Sequence, residues 1–288
     1  MKIEGNTFII TGGLGGIGSA VAKGFLAKGG KAALFDVIPE EKGVELAAKI
    51  HPTDVLYVKV DIANQESATA GVATVVEKLG SLKGVVHCAA ISAKRPWSND
   101  VSDSIPDFIK MINVNTVGTF IVDAVVADAI NKPYNHPPGA ASDSASTFWT
   151  TEEERGVIIN FASAAGHGLY ARTLCYGPTK VAVAGITRAM ADFLGPSGIR
   201  VNSISPSIVV TPMTAGAGLG TYFEEDLKAH AAFPRRPVPV DEIVRTVEFI
   251  VENGYINGED IRVDSAWRLV TNRASGLPDP RSVAPGLE

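Results

Sequence analysis

Short apolar runs alternate along this chain with stretches that have helical periodicity. Apolar runs bounded by glycine or polar turns are typical of strands in a sheet. We predict seven of them, at residues 7–10, 31–37, 55–60, 84–87, 156–161, 200–204 and 260–263. Strands that alternate with helices indicate an α/β fold with a doubly wound parallel sheet.

Asn115 and Lys180 are polar residues that lie in two of the predicted helices. In the helix predicted over residues 105–130, Asn115 lies among apolar neighbours. A buried amide needs partners, here either a structural water or a lysine. A second helix contains residues 179–194 and ends at Gly195 and Pro196. Pro178 is compatible with its start, because proline is tolerated in a first turn.

A glycine-rich turn joins the first strand to a helix predicted over residues 19–28. Glycines let a backbone approach a pyrophosphate, and a helix N-terminus offers N–H groups and the positive end of a dipole. Two spacings overlap, Gly-x-Gly-x-x-Gly from Gly13 and Thr-Gly-x-x-x-Gly-x-Gly from Thr11. The turn therefore predicts a nucleotide-phosphate site that includes Gly12, Gly15, Gly16 and Gly18.

Side chains at the ends of the next strands fit the same site. Asp36 ends the second strand at the distance expected for a ribose-binding acid, which favours NAD over NADP. Asp61 follows the third strand and fits two roles, as a partner for the adenine amine or as a helix N-cap. Cys88 and Ala89 follow the fourth strand, and their small side chains admit a ligand close to the backbone.

Ser163, Tyr176 and Lys180 combine a hydroxyl, a phenol and an ammonium. The last two are four residues apart and share one face of a helix. A free phenol has a pKa of about 10, and a nearby ammonium lowers it, which enables proton transfer at an alcohol or ketone. Tyr-x-x-x-Lys alone also occurs by chance in helices. The glycine turn and the strand-end residues favour the functional interpretation, because ligands of doubly wound sheets bind at the carboxyl ends of the strands.

Composition excludes several classes of protein. The chain has 288 residues, 45% of them hydrophobic, and a net charge of −5. No basic block indicates nucleic acid as a partner. Cys88 and Cys175 form no disulfide framework, no stretch approaches the roughly 20 apolar residues of a membrane span, and no signal peptide is evident. We therefore expect a cytoplasmic protein without a membrane partner, and we assign no metal ligands.

Together these motifs resemble the classical short-chain dehydrogenase/reductase family. The residues that carry the resemblance are Thr11-Gly-x-x-x-Gly-x-Gly18, Asn115, Ser163, Tyr176-x-x-x-Lys180, Arg200-Val-Asn202 and Pro206 to Pro212. The resemblance spans residues 5–270 and implies a single-domain Rossmann fold with a seven-stranded parallel sheet. It also implies an NAD-dependent oxidoreductase that interconverts a secondary alcohol and a ketone. The chain is most similar to the type-2 hydroxyacyl-CoA dehydrogenase, or hydroxysteroid dehydrogenase, group.

The resemblance implies a role for each site residue. Tyr176 is the general acid/base, Ser163 orients the substrate oxygen, and Lys180 binds the nicotinamide ribose and lowers the tyrosine pKa. Asn115 holds a water in a proton relay. Further cofactor contacts are implied at Ile17, Asp61, Ile62, Cys88, Ala89, Val209 and Thr211.

The chain departs from the family pattern at three places. Ala90 replaces the glycine of Asn-Asn-Ala-Gly, Ser207 replaces the glycine beside the nicotinamide, and Ser265 and Ala266 replace the glycines of Asp-Gly-Gly. None of these changes removes a catalytic group, so we expect an active enzyme.

Two segments are peculiar to this chain, and a third is interpreted as a cover over the substrate. They are an insertion at residues 131–155, interpreted as a solvated excursion, a substrate lid at 212–237, and a tail at 271–288. Apolar residues with His167, Tyr170 and Tyr222 favour a lipophilic substrate such as a steroid-like, terpenoid or polyketide ring. Arg235 and Arg236 are either a site for an acidic group, such as a CoA phosphate, or a surface pair.

Two alternatives to an alcohol dehydrogenase are considered. One is an isomerase or dehydratase that uses the same tyrosine, and the other is a non-catalytic NAD-sensing scaffold. The small and apolar faces of the helices at residues 105–130 and 179–194 favour a homotetramer or homodimer.

Overall fold

Among the residues that the structure describes, seven parallel strands form one sheet in the order β3-β2-β1-β4-β5-β6-β7. The computed structural model describes residues 1–92, 100–134, 151–168, 173–211 and 222–267. The strands are β1 (Thr7–Thr11), β2 (Lys31–Asp36), β3 (Val55–Lys59), β4 (Leu82–His87), β5 (Gly156–Phe161), β6 (Ile199–Pro206) and β7 (Asp260–Val263). The predicted α/β Rossmann fold with a seven-stranded parallel sheet is confirmed.

The strand order reverses at β1. The chain runs outward from β1 through β2 to β3, and β4 then pairs with the other edge of β1. Connections that diverge from such a reversal leave a crevice outside the carboxyl ends of the strands, where ligands bind. At this end of the sheet Thr11 of β1 is in register with Phe35 of β2 and His87 of β4.

Helices cover both faces of the sheet. They are α1 (Gly16–Ala27), α2 (Glu40–Ala48), α3 (Gln65–Leu79), α4 (Ile105–Met111), α5 (Gly118–Asn131), α6 (Ala164–His167), α7 (Tyr176–Leu194), α8 (Tyr222–His230) and α9 (Val240–Glu252). One core lies between the sheet and α1, α2 and α9, and it contains Phe25 and Val247. The other lies between the sheet and α3, α5 and α7, and it contains Val72, Val126 and Leu194.

The helix predicted over residues 105–130 is divided. A 3₁₀ turn at Val101–Ser104 leads into α4, and a π-helical turn at Ile112–Val117 separates α4 from α5. The π turn carries Asn115, which is buried. Such turns insert one residue into a helix and are frequent at functional sites. The apolar periodicity does not reveal the turn, because an inserted residue changes only the phase of the pattern.

The expectation that no stretch approaches a membrane span is corrected by this same region. Helical residues Val101–Tyr134 are long and apolar enough to cross a membrane, by length and composition alone. However, Val122, Val126 and Ile130 of α5 pack against the sheet, and Asp123 between them is fully buried in the protein. This face of α5 therefore belongs to the core of the fold.

Several other boundaries differ from the prediction by one to three residues, and those of α1 and β3 bear on the site. Helix α1 begins at Gly16 rather than at residue 19, so the glycine turn continues into its first turn. Strand β3 ends at Lys59, and Asp61 accepts a hydrogen bond from the Ala63 N–H at 3.0 Å. The N-cap of α3 is Asn64, so the N-cap role considered for Asp61 is wrong.

Parts of the three segments set apart by sequence lie outside the described residues, namely residues 135–150, 212–221 and 271–288. Where the insertion is described, Glu154 is not simply solvated. Its carboxylate pairs with Arg200 and with the amino group of Met1. This end of the insertion is therefore tied to β6.

The described part of the predicted lid packs on the protein. Leu227 and Ala231 of α8 are buried with Ala164 and Trp267, and Trp267 Nε1 donates to Asp226 Oδ2 at 2.7 Å. The turn before Trp267 has positive φ angles of 58° at Ser265 and 53° at Ala266. Non-glycine residues in this left-handed region cost about 1–2 kcal/mol each. The packing of Trp267 against α8 helps to offset that strain.

A buried polar cluster lies between β5, α5 and α7. Asn160 Nδ2 donates to Asp123 Oδ2 at 2.8 Å and to Thr187 Oγ1 at 3.2 Å. Burial raises the pKa of Asp123 to about 8, although the hydrogen bond from Asn160 opposes the shift. Beside Asn160 in the sheet, burial and the charge of Lys180 lower the pKa of His87 to about 3. Both Asp123 and His87 are therefore neutral at neutral pH.

Replacing Asp123 with Asn is expected to remove a pH-dependent loss of folding stability. The usual aspartate pKa is about 4. Since the folded value is about 8, the folded state keeps a proton that the unfolded chain releases, and this contribution to stability is lost as pH rises between these values. The free energy of unfolding of Asp123→Asn should therefore increase relative to that of wild type as pH rises, by up to about 1.4 kcal/mol per pH unit in that window. Urea denaturation at several pH values measures the gain.

Asp128→Asn is the matched control, since Asp128 is exposed on the same helix. It tests whether removing any carboxylate from this helix gives the same gain. A difference for Asp123→Asn that does not vary with pH would contradict the assignment of a neutral, buried Asp123.

Candidate active site

The glycine turn between β1 and α1 is closely packed, as two of its glycines show. Gly12 has a φ of +58°, and a Cβ there would lie 2.9 Å from the Cα of Ala89. A Cβ at Gly18 would overlap the carbonyl oxygen of Gly12. Glycine alone fits both positions without a backbone shift. The turn therefore presents bare backbone to the crevice between β1 and β4.

The N-terminus of α1 is open to an anion. Gly15 is its N-cap, and within the described part of the chain no side chain caps it and no acidic residue lies in its first turn. The first N–H groups of a helix lack intrahelical partners, and the dipole favours negative charge there. Gly16 and Ile17 begin the helix and are partly exposed. This donor set fits the diphosphate of a dinucleotide.

Asp36 lies beside the glycine turn at the end of β2. Its Oδ2 accepts a hydrogen bond from the Leu14 N–H at 3.3 Å, and its Oδ1 accepts one from the Val37 N–H at 2.9 Å. These bonds fix the carboxylate at the turn, where the fold places a ribose-binding acid.

Cys88 and Ala89 form the opposite wall of the crevice. Thr11 Oγ1 accepts a hydrogen bond from the Ala89 N–H at 3.1 Å, which ties the end of β1 to the segment after β4. Burial raises the pKa of the Cys88 thiol far above its ordinary value, despite the opposing charge of Lys180. Cys88 is therefore a neutral, small wall residue.

The other residues implied for the cofactor lie along the same edge and differ in exposure. Asp61 is exposed, whereas Ile62 is buried in the core against Gly118. Ile62 can therefore present only its main chain to a ligand. Val209 is buried and bridged to Val238, and Thr211 follows it with partial exposure.

The structure brings Ser163, Tyr176 and Lys180 together at the carboxyl end of β5. Ser163 caps α6, and its side chain lies beside Tyr176, the first residue of α7. Lys180 lies one turn further along α7 and is only 3% exposed. Its Nζ donates to the carbonyl oxygen of Phe161 at 2.7 Å and lies 5.5 Å from the centre of the Tyr176 ring.

Burial dominates the protonation of the phenol and the ammonium. It raises the pKa of Tyr176 to about 12, although the hydrogen bond with Ser163 lowers it. It also lowers the pKa of Lys180 to about 8. In the protein alone the net effect on the tyrosine pKa is therefore upward, opposite to the effect expected of Lys180 by itself.

Asn115 joins the π-helical turn to two other parts of the site. Its Nδ2 donates to the carbonyl oxygen of Ile91 at 2.9 Å and to Thr179 Oγ1 at 3.1 Å. Its Oδ1 accepts from the Ile91 N–H at 2.8 Å. Within the described residues its side-chain partners are thus Ile91 and Thr179 rather than Lys180, the lysine considered from sequence. The amide instead holds the segment after β4 against α7.

Several features of the site were missed by the sequence analysis. Thr179 is buried and accepts a hydrogen bond from Asn115, and its place inside the Tyr-x-x-x-Lys motif is the signal that could have drawn attention to it. The carbonyl of Phe161 is a main-chain group and has no sequence signal. His167, predicted near the substrate, has its Nε2 at 2.6 Å from Asp260 Oδ2.

These parts define a class of protein. A bare glycine turn at a helix N-terminus, an acid at the end of β2, and a hydroxyl, a phenol and a buried ammonium after β5 are the parts of an oxidoreductase that uses a nicotinamide dinucleotide. The family model for short chain dehydrogenase matches residues 6–219. The chain belongs to the short-chain dehydrogenase/reductase family, whose dehydrogenases act on CH–OH groups with NAD or NADP.

Relatives match over nearly the full length of the chain. The 3-hydroxyacyl-CoA dehydrogenase type-2 of Drosophila melanogaster is 32% identical over 271 residues, which cover 93% of this chain and 99% of the relative. Ipsdienol dehydrogenase of Ips pini is 28% identical over 276 residues, with 93% and 99% covered. The crystal structure of 3-hydroxyacyl-CoA dehydrogenase type-2 from Mycobacterium avium has a TM-score of 0.78 and 29% identity, with 94% and 100% covered. The predicted similarity to the type-2 hydroxyacyl-CoA dehydrogenase group is confirmed.

Proposed function

We propose that this protein is an NAD-dependent oxidoreductase that interconverts a secondary alcohol and a ketone on a lipophilic substrate. The observation that carries the proposal is the contact between Ser163 and Tyr176 with the buried Lys180 beside them. A phenol beside a hydroxyl provides a proton donor and acceptor next to a group that holds the substrate oxygen.

Tyr176 is the general acid/base in this proposal. During alcohol oxidation its phenolate oxygen takes the proton of the substrate hydroxyl while the hydride leaves the carbon. During ketone reduction the phenol returns that proton. Since burial raises the Tyr176 pKa to about 12, the phenol predominates at neutral pH and suits reduction. The charge of Lys180 favours the phenolate that oxidation requires.

Ser163 and Lys180 position the reacting groups. The Ser163 hydroxyl donates to the substrate oxygen. An ammonium has three N–H donors, so Lys180 can bind a ribose hydroxyl in addition to the Phe161 carbonyl. A nicotinamide dinucleotide, when bound, takes or supplies the hydride. The residues that would hold it are the glycine turn, Asp36, Cys88, Ala89, Val209 and Thr211.

Asp36 supports NAD as the cofactor. Its carboxylate is fixed by two main-chain N–H groups and is able to accept hydrogen bonds from ribose hydroxyls. A 2′-phosphate at the same place would meet a like charge. The next residues, Val37 and Ile38, offer no cation to neutralise it.

A lipophilic substrate is supported by the apolar packing beside the site. Ala164, next to Ser163, packs with Leu227 and Trp267. Tyr170 and the side chain of Tyr222 lie outside the described residues. Relatives named for hydroxyacyl-CoA and for ipsdienol are consistent with a range of secondary alcohols.

Exposed apolar side chains support a homodimer or homotetramer. Residues of α4, α5 and α7 that are more than 40% exposed include Ile105, Ile109, Phe120, Val181 and Phe193. Burying such groups against a second copy is favourable. Light scattering is expected to give at least a dimer, and a monomer at micromolar concentration would contradict this assembly.

Tyr176→Phe is expected to abolish most turnover while NAD still binds. Loss of a general acid/base costs about 10²- to 10⁴-fold in rate. NADH fluorescence with a panel of lipophilic secondary alcohols measures kcat, and a titration with NAD measures binding. Tyr255→Phe is the control, because Tyr255 is fully exposed and should leave kcat unchanged.

A Tyr176→Phe enzyme with the kcat of wild type would contradict the assigned role. Substrate converted to an isomer or dehydrated product without NADH would instead indicate an isomerase or dehydratase. Tight NAD binding without turnover of any alcohol would indicate the NAD-sensing scaffold.

Asp36→Asn is expected to weaken the preference for NAD over NADP by about tenfold or more, since hydrogen bonds to charged groups are worth about 1.5–3 kcal/mol. Asparagine still accepts from the Leu14 N–H, so the glycine turn is preserved. The ratio of kcat/KM for the two cofactors measures the change, with the exposed Asp192→Asn on α7 as control. An unchanged ratio would show that Asp36 does not select the cofactor.

A further inference from the structure

The orientation of Ser163 depends on α6, a single helical turn. Ser163 precedes this turn in an extended conformation, with φ −172° and ψ 153°. Its Oγ accepts a hydrogen bond from the Ala165 N–H at 3.1 Å, and its side chain lies beside Tyr176. Any shift of the turn therefore moves the hydroxyl relative to the phenol.

The α6 turn is packed on two sides, but this packing does not fix its orientation. A Cβ at Gly166 would lie 3.1 Å from the carbonyl carbon of Lys180, so the turn lies flat against α7. On another side Ala164 packs with Leu227 and Trp267. Apolar contacts of this kind are non-directional.

A polar contact fixes the last residue of the turn. His167 Nε2 lies 2.6 Å from Asp260 Oδ2 and 3.1 Å from Ser205 Oγ. The side chain of Asp260 is only 6% exposed, whereas that of His167 is 32% exposed. The short contact requires a proton on Nε2, because a carboxylate only accepts hydrogen bonds.

Asp260 is itself held in place by the sheet. It accepts hydrogen bonds from Ser203 Oγ at 2.8 Å and from Ser205 Oγ at 2.9 Å. Arg262, two residues along β7, directs its guanidinium to Asp264. Asp260 thus gives His167 a fixed acceptor on β7.

The histidine, serine and aspartate do not form a nucleophilic triad. Ser205 donates directly to the carboxylate of Asp260. His167 Nε2 carries the proton for Asp260, so it is not a base for Ser205. The arrangement fits a structural tie rather than hydrolysis.

We propose that His167 is a positioning residue, whose bond to Asp260 fixes α6 and thereby sets the Ser163 hydroxyl against Tyr176. This inference rests on the proposed function of Ser163 and Tyr176. His167 and Asp260 are 93 positions apart in the chain, and their contact joins β7 to α6, the turn that begins at the active site.

His167→Leu is the first test. Misplacing a reacting group by about 1 Å costs about 100-fold in rate. We expect kcat for the alcohol to fall by about 10- to 100-fold, with little change in KM or in NAD affinity. His167→Gln should recover most of the loss, because its amide nitrogen can donate to Asp260 as Nε2 does. Failure of Gln to recover activity beyond Leu would overturn the proposed bond.

Combining His167→Leu with Ser163→Ala separates positioning from general destabilisation. If His167 acts through Ser163, its loss should have little further effect on kcat in the Ser163→Ala enzyme. Full additivity of the two losses would overturn the proposal. His51→Leu is the matched control, since His51 pairs with Asp54 before β3, and it should leave kcat unchanged.

A readout without catalysis distinguishes this proposal from the proposed function. The amide resonance of Ala165, which donates to Ser163, should shift in His167→Leu and return toward wild type in His167→Gln. An inactive wild-type protein would contradict the proposed function and leave this result standing. An Ala165 amide that does not move would overturn the positioning role even in an active enzyme.

Discussion

The hydrogen bond from Lys180 to the carbonyl oxygen of Phe161 is the interaction on which the site depends. It joins α7, which carries Tyr176, to the end of β5, which leads to Ser163. Burying an ammonium is costly, and burial lowers the pKa of Lys180 to about 8. A buried lysine that donates to a main-chain carbonyl at 2.7 Å fixes the two elements in register, and the hydroxyl and the phenol then meet.

A second constraint acts at the reversal of strand order. Gly12 and Ala89 touch across the crevice between β1 and β4, with room for backbone only. Beside this contact, Gly15 and Gly16 at the N-terminus of α1 remain accessible to a ligand. The cofactor side and the catalytic side of the site therefore lie on one edge of the sheet, because parallel strands end together.

Local chemistry explains which features could be predicted from sequence. The strands are apolar runs, Gly12 and Gly18 stand where a Cβ has no room, and Tyr176 and Lys180 have the spacing of one helical turn. Features that depend on tertiary contacts were not predictable. The π-helical turn at Ile112–Val117, the partners of Asn115 and the upward shift of the Tyr176 pKa each depend on packing between distant elements. The contact between His167 and Asp260 likewise could not be predicted from sequence, because it exists only where β7 lies beside α6.

Deuterium transfer tests the proposed hydride chemistry most directly. Lipophilic secondary alcohols with deuterium at the carbinol carbon are incubated with the wild-type protein and NAD, and the cofactor is analysed by mass spectrometry. Hydride transfer predicts NADH that carries one deuterium, together with an equal amount of ketone. Unlabelled NADH, or alcohol that is epimerised or dehydrated while NAD stays oxidised, would contradict it.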